Sequence, residues 1–215
     1  MSQTKISAVI ITKNEEKNIQ DCLESILWCD EIIVVDSGSE DQTIPIAKNY
    51  NVKLIQKEWL GFGKTKQFAV NSATGKWILS IDADETVSPE LKTKIISLIK
   101  KSPEFYGYKI KRNTFYLGKK IQFSGWQTDY PTRLFLKEKG CFNEKTVHES
   151  VIIEQEKYGI LEEPIYHYSY PQIKTHISKM NLYTSLAAEE SFQNNKKSSI
   201  SSSLVRGILK FLKCI

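Results

Sequence analysis

No window of the chain approaches the ~18 uninterrupted apolar residues that a spanning helix requires. The first residues, Met1-Ser2-Gln3-Thr4-Lys5, run straight into a short apolar strand, which is not the pattern of a secretory leader. Cysteine is scarce: Cys22, Cys29, Cys141 and Cys214 form no C-x-x-C pair. That spacing excludes a dense disulfide framework and a cysteine zinc site, and it fits reduced thiols in a cytoplasmic protein. Acidic residues are missing from residues 196–215, which hold Lys196, Lys197, Arg206, Lys210 and Lys213. This tail takes five of the 30 basic residues and none of the 25 acidic ones, so the net charge of +5 resides there and the rest of the chain balances. A neutral body is a poor nucleic-acid surface. Glycine is absent from the first strand-to-helix turn, residues 12–16, so the dinucleotide fingerprint is excluded. Gly63-Lys64-Thr65 resembles the end of a P-loop, but that loop needs glycine where Glu58 stands. A bound nucleotide would have to be held by side chains and metal.

What remains is a globular composition, 40% hydrophobic and 26% charged over 215 residues, enough for one domain with an appendage. Ile6-Ser7-Ala8-Val9-Ile10-Ile11, Ile32-Ile33-Val34-Val35, residues 52–56 and Trp77-Ile78-Leu79-Ser80-Ile81 read as strands. Between them, helical spacing appears near residues 15–28, 42–49 and 65–73, and again at 89–101 behind Ser88 as cap and Pro89 at the first position. Strands that are apolar without alternation are buried on both faces, so the expected class is α/β, an open and mostly parallel sheet with helices on both sides. Beyond residue 103 the chain turns aromatic and β-branched. Residues 106–123, 132–139 and 147–154 are expected to form antiparallel strands, and 173–193 a helix. The implied organisation is a domain over 1–193, in halves 1–103 and 104–193, then a serine-rich linker at 194–203 and a tail at 204–215.

Ligands of open parallel sheets bind outside the carboxyl ends of the strands. Here the first strand leaves into Thr12-Lys13-Asn14-Glu15-Glu16, the second into Asp36-Ser37-Gly38-Ser39 and the fourth into Asp82-Ala83-Asp84-Glu85. Such residues also cap helices and form turns, a role open to Ser39 and Asp41. Capping explains Asp82 and Asp84 together less well. One residue apart, the two point the same way if the strand runs on, and they repel unless a cation lies between them. Magnesium or manganese suits carboxylate, water and phosphate oxygens and would clamp a diphosphate there.

These segments, with Ala73-Thr74-Gly75-Lys76-Trp77-Ile78-Leu79 before the D-x-D, resemble the family 2 glycosyltransferases. The later Gly125-Trp126, Arg133-Leu134-Phe135, Val147-His148-Glu149 and His167-Tyr168-Ser169 resemble the bacterial subgroup acting in lipopolysaccharide core and cell-surface glycan synthesis. The resemblance covers roughly residues 5–170. It implies the GT-A nucleotide-sugar fold, a nucleotide-diphosphate sugar donor (a UDP-sugar first), a glycan or glycolipid acceptor, and a divalent metal, Mn2+ or Mg2+. It also places nucleotide contacts at Thr12, Asn14, Glu15, Asp36 and Asp82, and metal ligands at Asp84 and Asp82. Lys66 and Gln67 match its donor-contact positions loosely and read equally as a solvated helix face.

Transfer with inversion, the family's usual outcome, needs a carboxylate to take the acceptor proton. Glu149, beside His148, is the favoured base and Asp129 the alternative. His167 is either a third metal ligand or a packing residue between Tyr166 and Tyr168. Trp126 and Arg133 are candidate contacts to sugar and phosphate; Arg133 could equally hold a core carboxylate. In the tail, Leu204, Val205, Ile208, Leu209, Leu212 and Ile215 share one helical face opposite Arg206, Lys210 and Lys213. A basic amphipathic helix of this kind lies on anionic lipid, which would place the protein peripherally on the cytoplasmic face of the inner membrane; docking back onto the body is the alternative. Two other functions stay open from sequence: a sugar-phosphate nucleotidyltransferase, whose class usually opens with a glycine-rich loop, and a non-catalytic nucleotide-sugar or carbohydrate-binding module.

Overall fold

Apolar strands in an unbroken run need cover from both sides, and the chain supplies it. In the computed structural model, which describes residues 5–123, 129–143, 149–169, 173–193 and 199–212, β1 (Ile6–Thr12), β2 (Glu31–Asp36), β3 (Lys53–Gln56) and β4 (Trp77–Ser80) lie parallel in the order β3-β2-β1-β4. On one face Ala8, Ile10, Ile32 and Val34 pack with Ile19, Leu23 and Ile26 of α1 (Ile19–Ile26) and with Leu91 and Ile95 of α4 (Pro89–Ile99). On the other, Val9, Ile11, Ile33 and Val35 pack with Ala69 and Val70 of α3 (Phe62–Asn71). The short α2 (Thr43–Lys48) buries Ala47 against the first face. α4 opens as expected: Ser88 Oγ accepts the Leu91 N–H and Pro89 fills the first turn, where its missing N–H costs nothing.

The second half extends the same sheet. β5 (Glu85–Val87), β6 (Gly107–Tyr116), β8 (Thr132–Leu136) and β11 (Tyr158–Ser169) complete the order β3-β2-β1-β4-β8-β6-β11-β5, with β7 (Lys119–Lys120) paired to β6. β9 (Gly140–Phe142) and β10 (Val151–Ile153) form a separate antiparallel pair. β8 is antiparallel to both β4 and β6 and so joins the two halves. The antiparallel pairing expected in this half is present between β8 and β6, β7 and β6, and β9 and β10, whereas β11, a strand not anticipated from sequence, runs parallel to β6 over most of its length. That pairing brings His167 into register with Thr114 of β6 and, on the other side, with Glu85 of β5.

Two helices follow, α5 (Ile173–Gln193), within the expected bounds, and α6 (Ile200–Leu212). α6 starts four residues earlier than the serine-rich composition suggested, because Ser199 caps it, its Oγ accepting the Ser202 N–H. Among the described residues no helix is long and apolar enough to cross a membrane.

Candidate active site

The ends of β1 and β2 are held together by side chains used as turn formers. Asp36, fully buried, accepts the N–H groups of Gly38 and Ser39 at 3.0 and 2.9 Å and the Ser39 hydroxyl. Gly38 supplies the positive φ of +86° that this tight turn demands. Across the gap Asn14, itself left-handed at φ 56°, donates its N–H to Ser39 Oγ and accepts the Glu40 N–H. Glu15 donates its N–H to Thr43 Oγ1 and accepts from Asn18 Nδ2. Asp41 is the capping residue expected, accepting the N–H and hydroxyl of Thr43 and the N–H of Glu16. Thr12 Oγ1 and Ser37 Oγ are buried and, among the described residues, make no hydrogen bond. Two unsatisfied hydroxyls side by side at a strand-end crevice are unusual, since buried polar atoms nearly always have partners.

The turn after β4 is where sequence and structure part. β4 stops at Ser80, and residues 82–85 form a turn closed by Glu85 N–H donating to the Asp82 carbonyl at 3.0 Å. Asp82 and Asp84 therefore do not lie side by side on one strand face. The Asp82 carboxylate is taken by Lys66 Nζ at 2.7 Å and by Arg133 Nη2. Burial alone would push the Asp82 carboxyl up; the Arg133 and Lys66 cations outweigh it and hold the group far below the ordinary range. Charge repulsion within the D-x-D is thus relieved at Asp82 by protein cations.

From Asp82 the ion pairs extend as a ladder. Lys66, only 3% exposed, also reaches Glu149 Oε1 at 2.6 Å. Arg133 Nη2 reaches Glu85 Oε1 at 2.7 Å, and Glu85 Oε2 accepts the Asp82 N–H at 3.0 Å. Glu85 in turn holds Arg112 Nη1 at 3.1 Å, and Arg112 grips Asp129 through Nε at 2.7 Å and through Nη2. The sequence Glu149–Lys66–Asp82–Arg133–Glu85–Arg112–Asp129 alternates in sign throughout, with the two candidate bases at its ends. Both arginines, Arg133 buried and Arg112 half-buried, are held more firmly protonated by these carboxylates. Glu85 and Arg112 were not singled out from sequence. Arg133 holds the carboxylates of Glu85 and Asp82, the alternative left open for it, and its Nε is buried with no partner among the described residues. The solvated-face reading of Lys66 is overturned: the helix face it occupies is covered by Asp82, Glu149 and Phe142.

Gln67 points elsewhere. Its Oε1 accepts the Phe142 N–H at 2.8 Å and its Nε2 donates to Asn71, so it ties α3 to β9 and stays outside the ladder. His167 Nε2 lies 3.3 Å from Asp84 Oδ2 while Nδ1 meets Thr114 Oγ1 at 3.4 Å. Trp126 and His148 fall outside the described residues.

The fit of a divalent ion can be tested on these atoms. Among the described residues no three His, Cys, Asp or Glu groups gather around one point. Two do: the oxygen of Asp84 and the nitrogen of His167. An octahedral ion with bonds of ~2.1 Å keeps neighbouring ligands ~3 Å apart, and Mg2+ commonly takes one or two protein ligands with the rest from water and phosphate. The 3.3 Å pair fits such an open site, and a nitrogen donor suits Mn2+ as well.

Residues 7–153 match the family described as Glycosyl transferase family 2. A Rickettsia felis protein named "Uncharacterized glycosyltransferase" is 36% identical over 204 residues, which is 90% of this chain and 72% of that protein. The lipopolysaccharide core biosynthesis glycosyltransferase LpsC of Rhizobium meliloti is 28% identical over 198 residues, 89% of this chain and 73% of LpsC. In fold, the chain is similar to S. aureus TarS 1–349 in complex with UDP, with a TM-score of 0.59 and 21% identity over 78% of this chain and 61% of that one. The same TarS segment with UDP-GlcNAc gives a TM-score of 0.58 at 20% identity, over 78% and 59%. The chain therefore spans about three-fifths of those TarS structures.

Proposed function

Because the chain belongs to glycosyltransferase family 2, we propose that it moves a sugar, with inversion, from a UDP-sugar to a lipid-linked or lipopolysaccharide-core glycan, using Mn2+ or Mg2+. The observation that carries this reading is the meeting of Asp84 and His167 on the same turn as Asp82, which Lys66 joins to the Glu149 carboxylate. The UDP donor is favoured by TarS, crystallised with UDP and with UDP-GlcNAc, and the acceptor class by the name of LpsC.

In this reading the nucleotide enters over Thr12 and Ser37, whose two hydroxyls gain the partners they lack. Asn14, Glu15 and Asp36 shape that floor through the loop bonds described above, and Asp82, neutralised by two cations, closes it beneath the donor. Asp84 and His167 would hold the divalent ion, which screens the charge that builds on a departing diphosphate. Glu149 takes the proton of the acceptor hydroxyl as its oxygen attacks the anomeric carbon, and the bond to the diphosphate oxygen breaks with its electron pair leaving on UDP. Glu149 is suited to this because Lys66 occupies only one of its oxygens, and among the described residues the other has no partner. Asp129, held by two nitrogens of Arg112, is the alternative base.

α6 supplies the link to an acceptor carried on lipid. Leu204, Val205, Ile208 and Leu209 are all more than half exposed, beside a run of basic residues with no acid among residues 191–215. An anionic bilayer matches that surface in both charge and apolarity, placing the protein peripherally on the cytoplasmic face of the inner membrane.

A thermal-shift panel tests the donor: UDP-, GDP-, ADP- and CMP-sugars, each with and without Mn2+. A bound ligand raises apparent stability, so UDP-sugars with Mn2+ should give the largest rise. A larger rise with another nucleotide, or none with any, contradicts the reading.

A further inference from the structure

We propose that Lys66 is a positioning residue for Glu149, fixing the base carboxylate to the Asp82 turn through a single buried ammonium. The proposal rests on Glu149 being the base. Lysine is almost never fully buried unless it is paired, and Lys66 is paired twice. Asp82 comes from the turn after β4, on the donor side. Glu149 comes from the approach to β10, on the acceptor side, 83 residues after Lys66 in sequence. One ammonium therefore spans the crevice between the two reacting halves.

The two carboxylates depend on it unequally. Without Lys66, Asp82 would keep Arg133, and Arg133 is anchored again by Glu85. Glu149 has no second cation among the described residues. Nor does regular structure hold it, for Glu149 precedes β10 in an irregular stretch. The neighbouring residue of α3 serves the same end: Gln67 fixes the Phe142 N–H at the end of β9, and just beyond it Asn143 and Ser150 hydrogen-bond across the strand pair. α3 thus anchors the backbone of the acceptor-side hairpin with one residue and the carboxylate beside it with the previous one. A catalytic group needs this support, because a displacement of about 1 Å can cost ~100-fold in rate.

The test is a double-mutant cycle in the full chain with K66M, E149Q and K66M/E149Q. UDP release from UDP-N-acetylglucosamine with Mn2+ is the activity, water serving as acceptor, and UDP affinity is measured by calorimetry. K66M should lower kcat roughly 10- to 100-fold while UDP affinity and donor KM change less than about threefold; K66R should recover part of kcat. In the E149Q background, K66M should change kcat by less than about twofold, since the group it positions is already disabled. A further loss in the double variant as large as in K66M alone overturns the positioning role while leaving the base assignment standing. Full turnover by E149Q alone overturns the base assignment, and the positioning role with it. Because K66M strips a cation from two half-buried carboxylates, K66Q is carried alongside, and crystal structures of whichever variant folds give a readout independent of turnover. Glu149 should leave its place while Asp82 stays on Arg133; an unmoved Glu149 refutes the proposal.

Discussion

Replacing Glu85 by glutamine isolates the middle of the ladder. Glu85 is completely buried, and its two oxygens take Arg133 at 2.7 Å, Arg112 at 3.1 Å and the Asp82 N–H at 3.0 Å. Glutamine keeps the shape but removes the charge and turns one acceptor into a donor facing other donors. Breaking a buried ion pair from one side costs roughly 3–5 kcal/mol. The lower end applies here, because Arg133 keeps Asp82 and Arg112 keeps Asp129. For a chain of this size each kcal/mol moves the midpoint by about 2–4 °C, so E85Q should melt roughly 6–12 °C below the parent protein in scanning calorimetry. E162Q is the control: Glu162 is largely exposed and pairs with Lys111 at the surface, where solvent screens such a bridge and its loss should barely move the midpoint. A melting point for E85Q within about 2 °C of the parent, or equal to that of E162Q, would show that the ladder does not hold the fold.

Acid should act through Asp82. Its folded pKa lies below the unfolded value near 4, so the stability it confers is complete above that pH and drains away as the pH falls further. Urea midpoints should drop between about pH 4 and 2, and D82N should show a lower plateau at neutral pH with a flatter acid limb; an unchanged limb contradicts the ion pairs at Asp82. Thiol reactivity should follow burial: Cys141 is exposed, whereas burial pushes the Cys22 and Cys29 thiols up, with the nearby carboxylates Glu85, Asp84 and Asp82 adding to it at Cys22. Iodoacetamide followed by mass spectrometry should label Cys141 well before either, and early labelling of Cys22 would mean that the α1 packing is wrong. Deleting residues 200–215 should abolish sedimentation with phosphatidylglycerol vesicles but spare UDP binding, and binding by the parent should weaken as salt rises. Undiminished sedimentation of the truncated chain places the membrane contact elsewhere.

The nucleotide-side half was legible because its strands are apolar on both faces and α4 carries its own cap, so local pattern and final packing agree. β5 was not, since Glu85-Thr86-Val87 is three residues long and becomes a strand only by pairing with β11, some 80 residues away. β11 itself carries Glu162, Glu163 and Pro164 in its middle, where the register with β6 shifts, and that interruption hides its length. The D-x-D was visible but its geometry was not, because the end of β4 at Ser80 decides whether two aspartates share a face. Lys66 sits in a polar helical run, and only the distant Asp82 and Glu149 make its position buried. Arg112 left a usable signal: two residues after the buried Ile110 on β6, it falls on the same inward face, where a cation implies a buried carboxylate. The family membership also removes the nucleotidyltransferase and the non-catalytic module as readings of this sheet.

Manganese uptake read by electron paramagnetic resonance, with and without UDP, puts the proposed chemistry to trial. The parent protein should take up one Mn2+ per chain, more tightly when UDP is present, because the diphosphate completes a coordination shell begun by Asp84 and His167. D84A and H167A should each lose that uptake while still melting near the parent temperature. Equal uptake by D84A, or a parent protein that binds UDP with no manganese at all, would contradict it.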